Sequence, residues 1–243
     1  MDGTVITERP ADGPRIMAPT ADRPAYVVTH GGGQHDFGQV PAGERPPSAE
    51  TLDQEMALAL GRSHYLPADA NHPPSLLVVF TWGAHDSPGD DVEDPGYRNL
   101  LDRAVLVGGL RFADELKEVL KRNDAVAVAT STQPFGAQLP GMRPTSAASL
   151  FQSVSPIETF RRRDTKTEHL LQHIADDCYY VVVSAFDYSS VGRGEGRLLW
   201  RTKLTATARG ASLATAIPAL IANGARYFGQ EMIGAEFLAH RGP

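Results

Sequence analysis

Cysteine is nearly absent from this sequence, since Cys178 is the single one among 243 residues. One cysteine excludes a disulfide within the chain, and it excludes a zinc site built from several cysteines. Cys178 stands at the start of an apolar run rich in valine. We expect a buried and unreactive thiol there, because apolar surroundings disfavour the thiolate.

An excess of positive charge and a long apolar run are also lacking. The 23 Lys and Arg residues are outnumbered by 29 Asp and Glu residues, which gives a net charge of −6. Because nucleic-acid binding needs clustered cations for the phosphates, we expect no nucleic-acid partner. No stretch approaches the ~18 consecutive apolar residues of a membrane-spanning helix, so we expect no transmembrane segment.

The composition itself is that of a globular protein. Hydrophobic residues make up 42% of the chain, which is enough for the core of one domain of this length. Residues 1–24 are polar and rich in Pro and Gly, which predicts a flexible N-terminal lead. Residues 25–243 are predicted to form a single α/β domain.

The domain begins with a pattern of strand, helix and strand. The segment AYVVTH at 25–30 predicts a strand that stops at the glycines 31–33. Ser48 is a suitable N-cap for the helix that follows, whose apolar residues recur at helical spacing. The apolar run at 75–83 predicts the second strand, which is parallel to the first if the two are neighbours.

The middle of the chain combines a helix with a connection rich in proline. The pattern over 100–122 predicts a long helix, in which Gly108 and Gly109 allow a bend or close packing. Pro134, Pro140, Pro144 and Pro156 then predict a long connection or insertion near 134–160.

The glycine-rich segment GRGEG at 192–196 raises the question of a phosphate-binding loop. Such a loop needs a strand before it and a helix after it, so that backbone N–H groups converge on the anion. Here apolar, β-branched runs lie on both sides, which predicts an antiparallel hairpin with the glycines at its tip. A helix containing Pro218 follows. The predicted fold is therefore α/β (α+β), a mixed sheet of four to six strands with packed helices.

Two parts of the sequence resemble the DUF4136-type domain of bacterial envelope lipoproteins. The first part, roughly 50–83, has a helix, His64-Tyr65 and then the strand segment PSLLV at 74–78. The second part, roughly 179–228, has a strand ending in Asp-Tyr, a polar turn, Trp200-Arg201 within LLWRTKLTA, and a closing helix. The resemblance implies helices on an antiparallel or mixed sheet and a location in the cell envelope. It supplies no catalytic residues.

Histidine and aspartate side chains form the sharpest candidate for chemistry. The segments HGGGQHD and WGAHD follow the two predicted parallel strands, and the carboxyl edge of such strands is where ligands bind. Imidazole and carboxylate ligands suit a divalent metal, which can activate water for hydrolysis. The spacing matches no established metal motif, so solvated loop residues are the alternative interpretation. The candidate metal ligands are His30, His35, Asp36, His85 and Asp86.

Three residues are candidates for binding an organic ligand. Trp82 and Trp200 lie in or at the end of predicted strands, and Arg201 follows Trp200 directly. Indole rings at such positions pack in the core or form a platform for a ligand.

The function predicted from these features is a non-catalytic bacterial envelope or secreted domain with a structural or binding role. This prediction depends on missing catalytic signatures and on the resemblance. One alternative is a metal-dependent hydrolase using the His/Asp cluster. Another is a subunit of a larger assembly that docks through residues 134–160. We expect a protein or envelope partner, with a homo-oligomer left open, and a periplasmic or envelope location with the cytoplasm as the alternative.

Elemental analysis tests the metal hypothesis. If the cluster holds a transition metal, purified tag-free protein contains about one equivalent of it, and the His35→Ala/His85→Ala double variant loses it. Protein without metal, whose thermal stability does not change when metals are added, would contradict the hypothesis.

Overall fold

A seven-stranded mixed sheet lies at the centre of the computed structural model, which describes residues 2–14, 16–37, 44–86, 97–131 and 156–238. The strands are β1 (Gly3–Glu8), β2 (Ala25–Gln34), β3 (Tyr65–Pro67), β4 (Leu76–His85), β5 (Cys178–Asp187), β6 (Leu198–Thr207) and β7 (Glu236–Leu238). Their order across the sheet is β3-β2-β4-β5-β6-β1-β7. β2 pairs in parallel with β3 and β4, and the other neighbouring strands are antiparallel.

Seven helices accompany the sheet in the described ranges. They are α1 (Ala49–Arg62), α2 (Arg98–Val107), α3 (Leu110–Ser131), α4 (Pro156–Arg161), α5 (Thr165–Ala175), α6 (Tyr188–Gly192) and α7 (Leu213–Gly224). α1 and α7 pack on one face of the sheet, where they share the main core with all the longer strands. α2 to α5 pack on the other face. The predicted single α/β domain with a mixed sheet and packed helices is confirmed, but the sheet has seven strands where four to six were predicted.

The N-terminal unit forms largely as the sequence predicts. Ser48 caps α1, because its hydroxyl accepts a hydrogen bond from the Thr51 N–H at 3.1 Å. β2 and β4 are parallel neighbours. β2 does not stop at the glycines but runs through them with a register shift between Gly31 and Gln34, so that part of the prediction is wrong. The strands approach closely at Gly32, where an added Cβ would lie 2.8 Å from the Thr81 methyl group. Glycine allows this approach because it has no side chain.

The prediction of a flexible lead is wrong for its first residues. Gly3–Glu8 form β1, which lies between β6 and β7 in the sheet, with Val5 fully buried. The segment TVIT contains enough β-branched side chains for a strand, but the polar residues and prolines after it dominate the composition of 1–24.

The predicted antiparallel hairpin is confirmed. β5 and β6 pair from Cys178↔Thr207 to Phe186↔Leu198, and their loop contains the short helix α6. Gly194 and Gly196 have φ of 78° and 58°, a conformation that glycine adopts without strain. The loop joins two strands, so the glycines are part of a hairpin turn and not of a phosphate loop.

The predicted long helix is divided at its two glycines. α2 ends at Val107 and α3 begins at Leu110, with Gly109 at φ 89° between them. Glu8 stabilises the start of α3, since its Oε1 accepts a hydrogen bond from the Leu110 N–H at 2.6 Å. Residues 132–155, which hold most of the proline-rich insertion predicted near 134–160, lie outside the described residues; 156–161 form α4. Within the described ranges, no helix is long and apolar enough to cross a bilayer.

A matched pair of glycine substitutions tests the break between α2 and α3. Gly109→Ala should lower the free energy of unfolding by at least ~1 kcal/mol, because φ is positive there and the added methyl would crowd Glu8. Gly61→Ala in α1 has open space and should raise it by ~0.5–1 kcal/mol. Urea denaturation measures the free energy of unfolding of both variants. Equal changes in the two variants would contradict a helix break at Gly109.

Candidate functional site

A groove lies on the second face of the sheet, between its central strands and α2. The core of α2 to α5 includes only one side chain from a described strand, that of Ile6 in β1. Of these helices, α2 contacts the sheet at β6 and β1. The resulting groove has a volume of about 670 Å³, a size that suits a small molecule.

The floor of the groove consists of alternate side chains from β4 and β5. Val79 and Thr81 come from β4, and Val182 and Phe186 come from β5. All four are only partly buried. Their neighbours along each strand point to the opposite face and pack in the main core under α1 and α7, because successive side chains of a strand alternate between faces.

The wall and one end of the groove are apolar and aromatic. Val105 and Leu106 of α2 form the wall. At the end, the Phe37 ring lies on His85 with the ring centroids 5.2 Å apart, and Tyr180 lies 5.9 Å from Phe37. The Tyr180 hydroxyl donates a hydrogen bond to the His35 carbonyl, which ties the segment after β2 to β5.

A polar pair interrupts this apolar lining. Ser184 of β5 and Arg201 of β6 are paired residues in the sheet, and the Arg201 Nε donates to the Ser184 Oγ at 3.0 Å. Ser184 is 7% exposed, so the hydroxyl holds the guanidinium from a buried position. No ion pair of Arg201 is found among the described residues.

Lys203 also borders the groove, but its charge is neutralised. Its Nζ lies 2.5 Å from the Glu8 Oε2 and donates to the Val105 carbonyl at 3.0 Å. Burial lowers the pKa of Lys203, and the hydrogen bond to Glu8 opposes that shift. Arg201 is therefore the cation of this pair that is available to a ligand.

A buried arginine fixes the position of α2, and so of the groove wall. Arg103 is fully buried, and its Nε donates to the Ile174 carbonyl at 2.6 Å. Its Nη1 donates to the His85 carbonyl at 2.9 Å, and its Nη2 donates to the Asp176 carbonyl. One side chain of α2 therefore holds both the end of β4 and the C-terminal end of α5, where helix carbonyls lack partners of their own.

Burial also shapes the titration of the groups near this end of the groove. It lowers the pKa of His85, and the charge of Arg103 acts in the same direction, so the imidazole is neutral at pH 7. Burial raises the pKa of the Cys178 thiol to about 11. Cys178 is 1% exposed, so the expected buried, unreactive thiol is confirmed.

Four of the five candidate metal ligands lie at the carboxyl edge of β2 and β4. His35 and Asp36 follow β2, and His85 and Asp86 end β4, with Phe37 bridging the two segments. Asp36 is engaged in structure, since its Oδ1 accepts from the Ala84 N–H at 2.8 Å and its Oδ2 from the Gln34 side chain at 2.6 Å. The His35 Nε2 lies 3.1 Å from the Gly32 carbonyl.

His30 does not join this group. In the register of β2 and β4, His30 lies beside Val79. Val79 is six positions before His85 in β4, so His30 lies about 20 Å from His85 along the strand direction. No three His, Cys, Asp or Glu side chains in the described part of the chain form a group that could hold a metal ion. Metal binding at the edge stays a prediction.

The three candidate ligand-binding residues are divided between the two faces of the sheet. Trp82 and Trp200 are 7% and 2% exposed and belong to the main core. Trp200 lies between Phe228 and Tyr65, with centroid distances of 6.1 and 5.7 Å. Both indoles are core residues, so the idea of a tryptophan platform does not fit their positions. Arg201 alone of the three lines the groove.

Sequence reasoning missed most of the groove. The alternation of Val182, Ser184 and Phe186 on one side of a strand was visible in the sequence. Which helices cover that side could not be read there, because it depends on β1 joining the sheet beside β6. The residues that were missed lie on this face of the sheet, on α2 or just after β2; they are Phe37, Val79, Thr81, Asp102, Val105, Leu106, Tyr180, Val182, Ser184, Phe186 and Lys203.

Comparison with known proteins adds no identity, since no protein-family model matches the chain and no curated protein matches it significantly. The resemblance to DUF4136-type domains stays a prediction from the sequence.

Substitution of the buried arginine tests its role at the groove wall. Arg103→Lys keeps the charge but removes the planar set of donors, so the free energy of unfolding should fall by roughly 2 kcal/mol or more. Arg111→Lys, on the exposed side of α3, should change it by less than ~0.5 kcal/mol. Urea denaturation measures both, and an Arg103→Lys variant as stable as the control would contradict this role.

Proposed function

We propose that this protein is a non-catalytic binding domain that takes a small, mainly apolar molecule in the groove between β4, β5 and α2. The observation that carries the proposal is the groove itself. It combines about 670 Å³ of space with a mainly apolar floor and wall, and its lining includes the hydrogen-bonded pair Ser184 and Arg201. Sites of this kind bind small molecules by burying apolar surface, and a few polar groups orient the ligand.

The contacts of the groove support binding rather than catalysis. A nucleophilic hydroxyl needs a base within hydrogen-bonding distance. The Ser184 hydroxyl accepts a hydrogen bond from Arg201, which cannot take a proton from it. His85 lies at the other end of the groove, stacked on Phe37 and contacting Arg103.

The remaining parts of the hypothesis drawn from the sequence are also proposals. A periplasmic or envelope location depends on the resemblance alone. Docking through residues 134–160 concerns a segment that lies mainly outside the described residues. A metal-dependent hydrolase is the second candidate, because His35 and His85 both line the groove.

Binding of an uncharged apolar dye tests the proposed function. N-phenyl-1-naphthylamine fluoresces strongly in apolar surroundings, and we expect saturable binding at one site per chain. Val182→Trp fills the floor of the groove and should weaken binding at least ~tenfold, equivalent to ~1.4 kcal/mol. Leu58→Trp adds the same ring to an exposed position of α1, on the opposite side of the sheet, and should leave the affinity unchanged.

Two results would overturn the proposal. One is a lack of saturable dye binding by the folded wild-type protein. The other is equal weakening by Val182→Trp and Leu58→Trp, because binding would then not occur in the groove.

A further inference from the structure

We infer that the ligand of the groove is a monocarboxylate with an unbranched apolar chain, whose carboxylate binds the Arg201 guanidinium. This inference rests on the proposed function and names the ligand class of the same site.

Arg201 has donors left for a ligand. Its Nε is used by Ser184 at 3.0 Å, and no partner of its two terminal nitrogens is found among the described residues. Those two nitrogens lie side by side at the end of a planar group, the arrangement that binds the two oxygens of a carboxylate. Because the buried Ser184 hydroxyl fixes the Nε, the orientation of the guanidinium is set before a ligand arrives.

The charges around the groove favour one orientation of the ligand. Glu8 is the residue opposite Arg201 in β1, but its carboxylate binds the Lys203 ammonium and the Leu110 N–H, and no ion pair of Arg201 is found among the described side chains of the groove. Asp102 is the carboxylate that lines the groove, and its charge opposes the lowering of the His85 pKa. A carboxylate is therefore attracted to the Arg201 end, whereas at the His85 end the charge of Asp102 is offset by that of Arg103, which contacts His85.

The apolar surface leads from Arg201 toward that second end. From Ser184 to Tyr180 the floor extends four positions along β5, about 13 Å, past Val182. The Phe37 ring lies beside Tyr180 at the far end. An extended alkyl chain attached to the bound carboxylate follows this direction and meets apolar side chains along it.

A phosphate or sulfate fits the site less well. Anions of that kind are commonly bound by several converging backbone N–H groups at a helix start or a glycine-rich loop. Arg201 lies inside β6, between β5 and β1, where the strands are paired on both sides. The donors at this end of the groove are therefore the side chain of one arginine.

Displacement of the bound dye by three molecules of equal chain length tests the inference. The competitors are octanoate, octan-1-ol and octylamine at pH 7. Octanoate should displace N-phenyl-1-naphthylamine at a concentration ~tenfold lower than octan-1-ol, because a hydrogen bond to a charged group adds to the same apolar contacts. Octylamine should be the weakest, since its ammonium group is repelled by Arg201.

Three variants show whether Arg201 causes the preference for octanoate over octan-1-ol. Arg201→Gln should reduce the ratio between octan-1-ol and octanoate to within ~twofold, and Arg201→Lys should give an intermediate ratio, because a lysine keeps the charge without the planar pair of donors. Arg209→Gln removes an equal charge from the exposed turn after β6 and should leave the wild-type ratio.

Each outcome is decisive. Dye binding that Val182→Trp weakens, with equal displacement by octanoate and octan-1-ol, would overturn the carboxylate inference and leave the proposed function standing. A preference for octanoate that persists in Arg201→Gln would also overturn it. Absence of dye binding would remove the proposed function and this inference together.

Discussion

The guanidinium of Arg103 joins three parts of the protein that are distant in sequence. It lies on α2 and binds main-chain carbonyls at the end of β4 and at the C-terminal end of α5. Burying a charged group is costly unless its hydrogen bonds are made, so the side chain specifies one arrangement of these elements. The position of α2 determines where the second helical layer lies, and with it the wall of the groove.

The two faces of the sheet are covered unequally as a consequence. α1 and α7 cover one face with a continuous core that includes β2, β4, β5 and β6. The helices on the other face form a core of their own and contact the sheet near β1, where Ile6 enters that core and Thr4 donates to the Val107 carbonyl. In the described part of the chain, the groove occupies the surface that this offset leaves uncovered. The candidate site thus arises from the placement of a layer rather than from a motif.

Much of the fold could be predicted from local patterns in the sequence. Alternating valines predict β5, Ser48 predicts the start of α1, and the glycines between two apolar runs predict the hairpin. The strand β1 was missed because six residues give a weak signal beside a long polar segment. The role of Arg103 could not be foreseen either, since its partners are carbonyl groups and carry no side-chain signature. The prediction of a ligand platform at Trp82 and Trp200 was wrong for a related reason, because the sequence does not tell which face of a strand is covered by helices.

The position of β1 has a consequence for how the chain reaches this structure. Thr4 contacts Thr205, a residue 201 positions away, and β1 is also the strand on which β7 pairs. The first strand along the chain is therefore among the last to find its neighbours. Contacts of such long sequence separation slow folding, because a large loop must close before they stabilise anything. During synthesis, β1 lacks its partner until β6 has been made, and β6 has an unpaired edge until β1 joins it; unpaired strand edges of this kind favour aggregation.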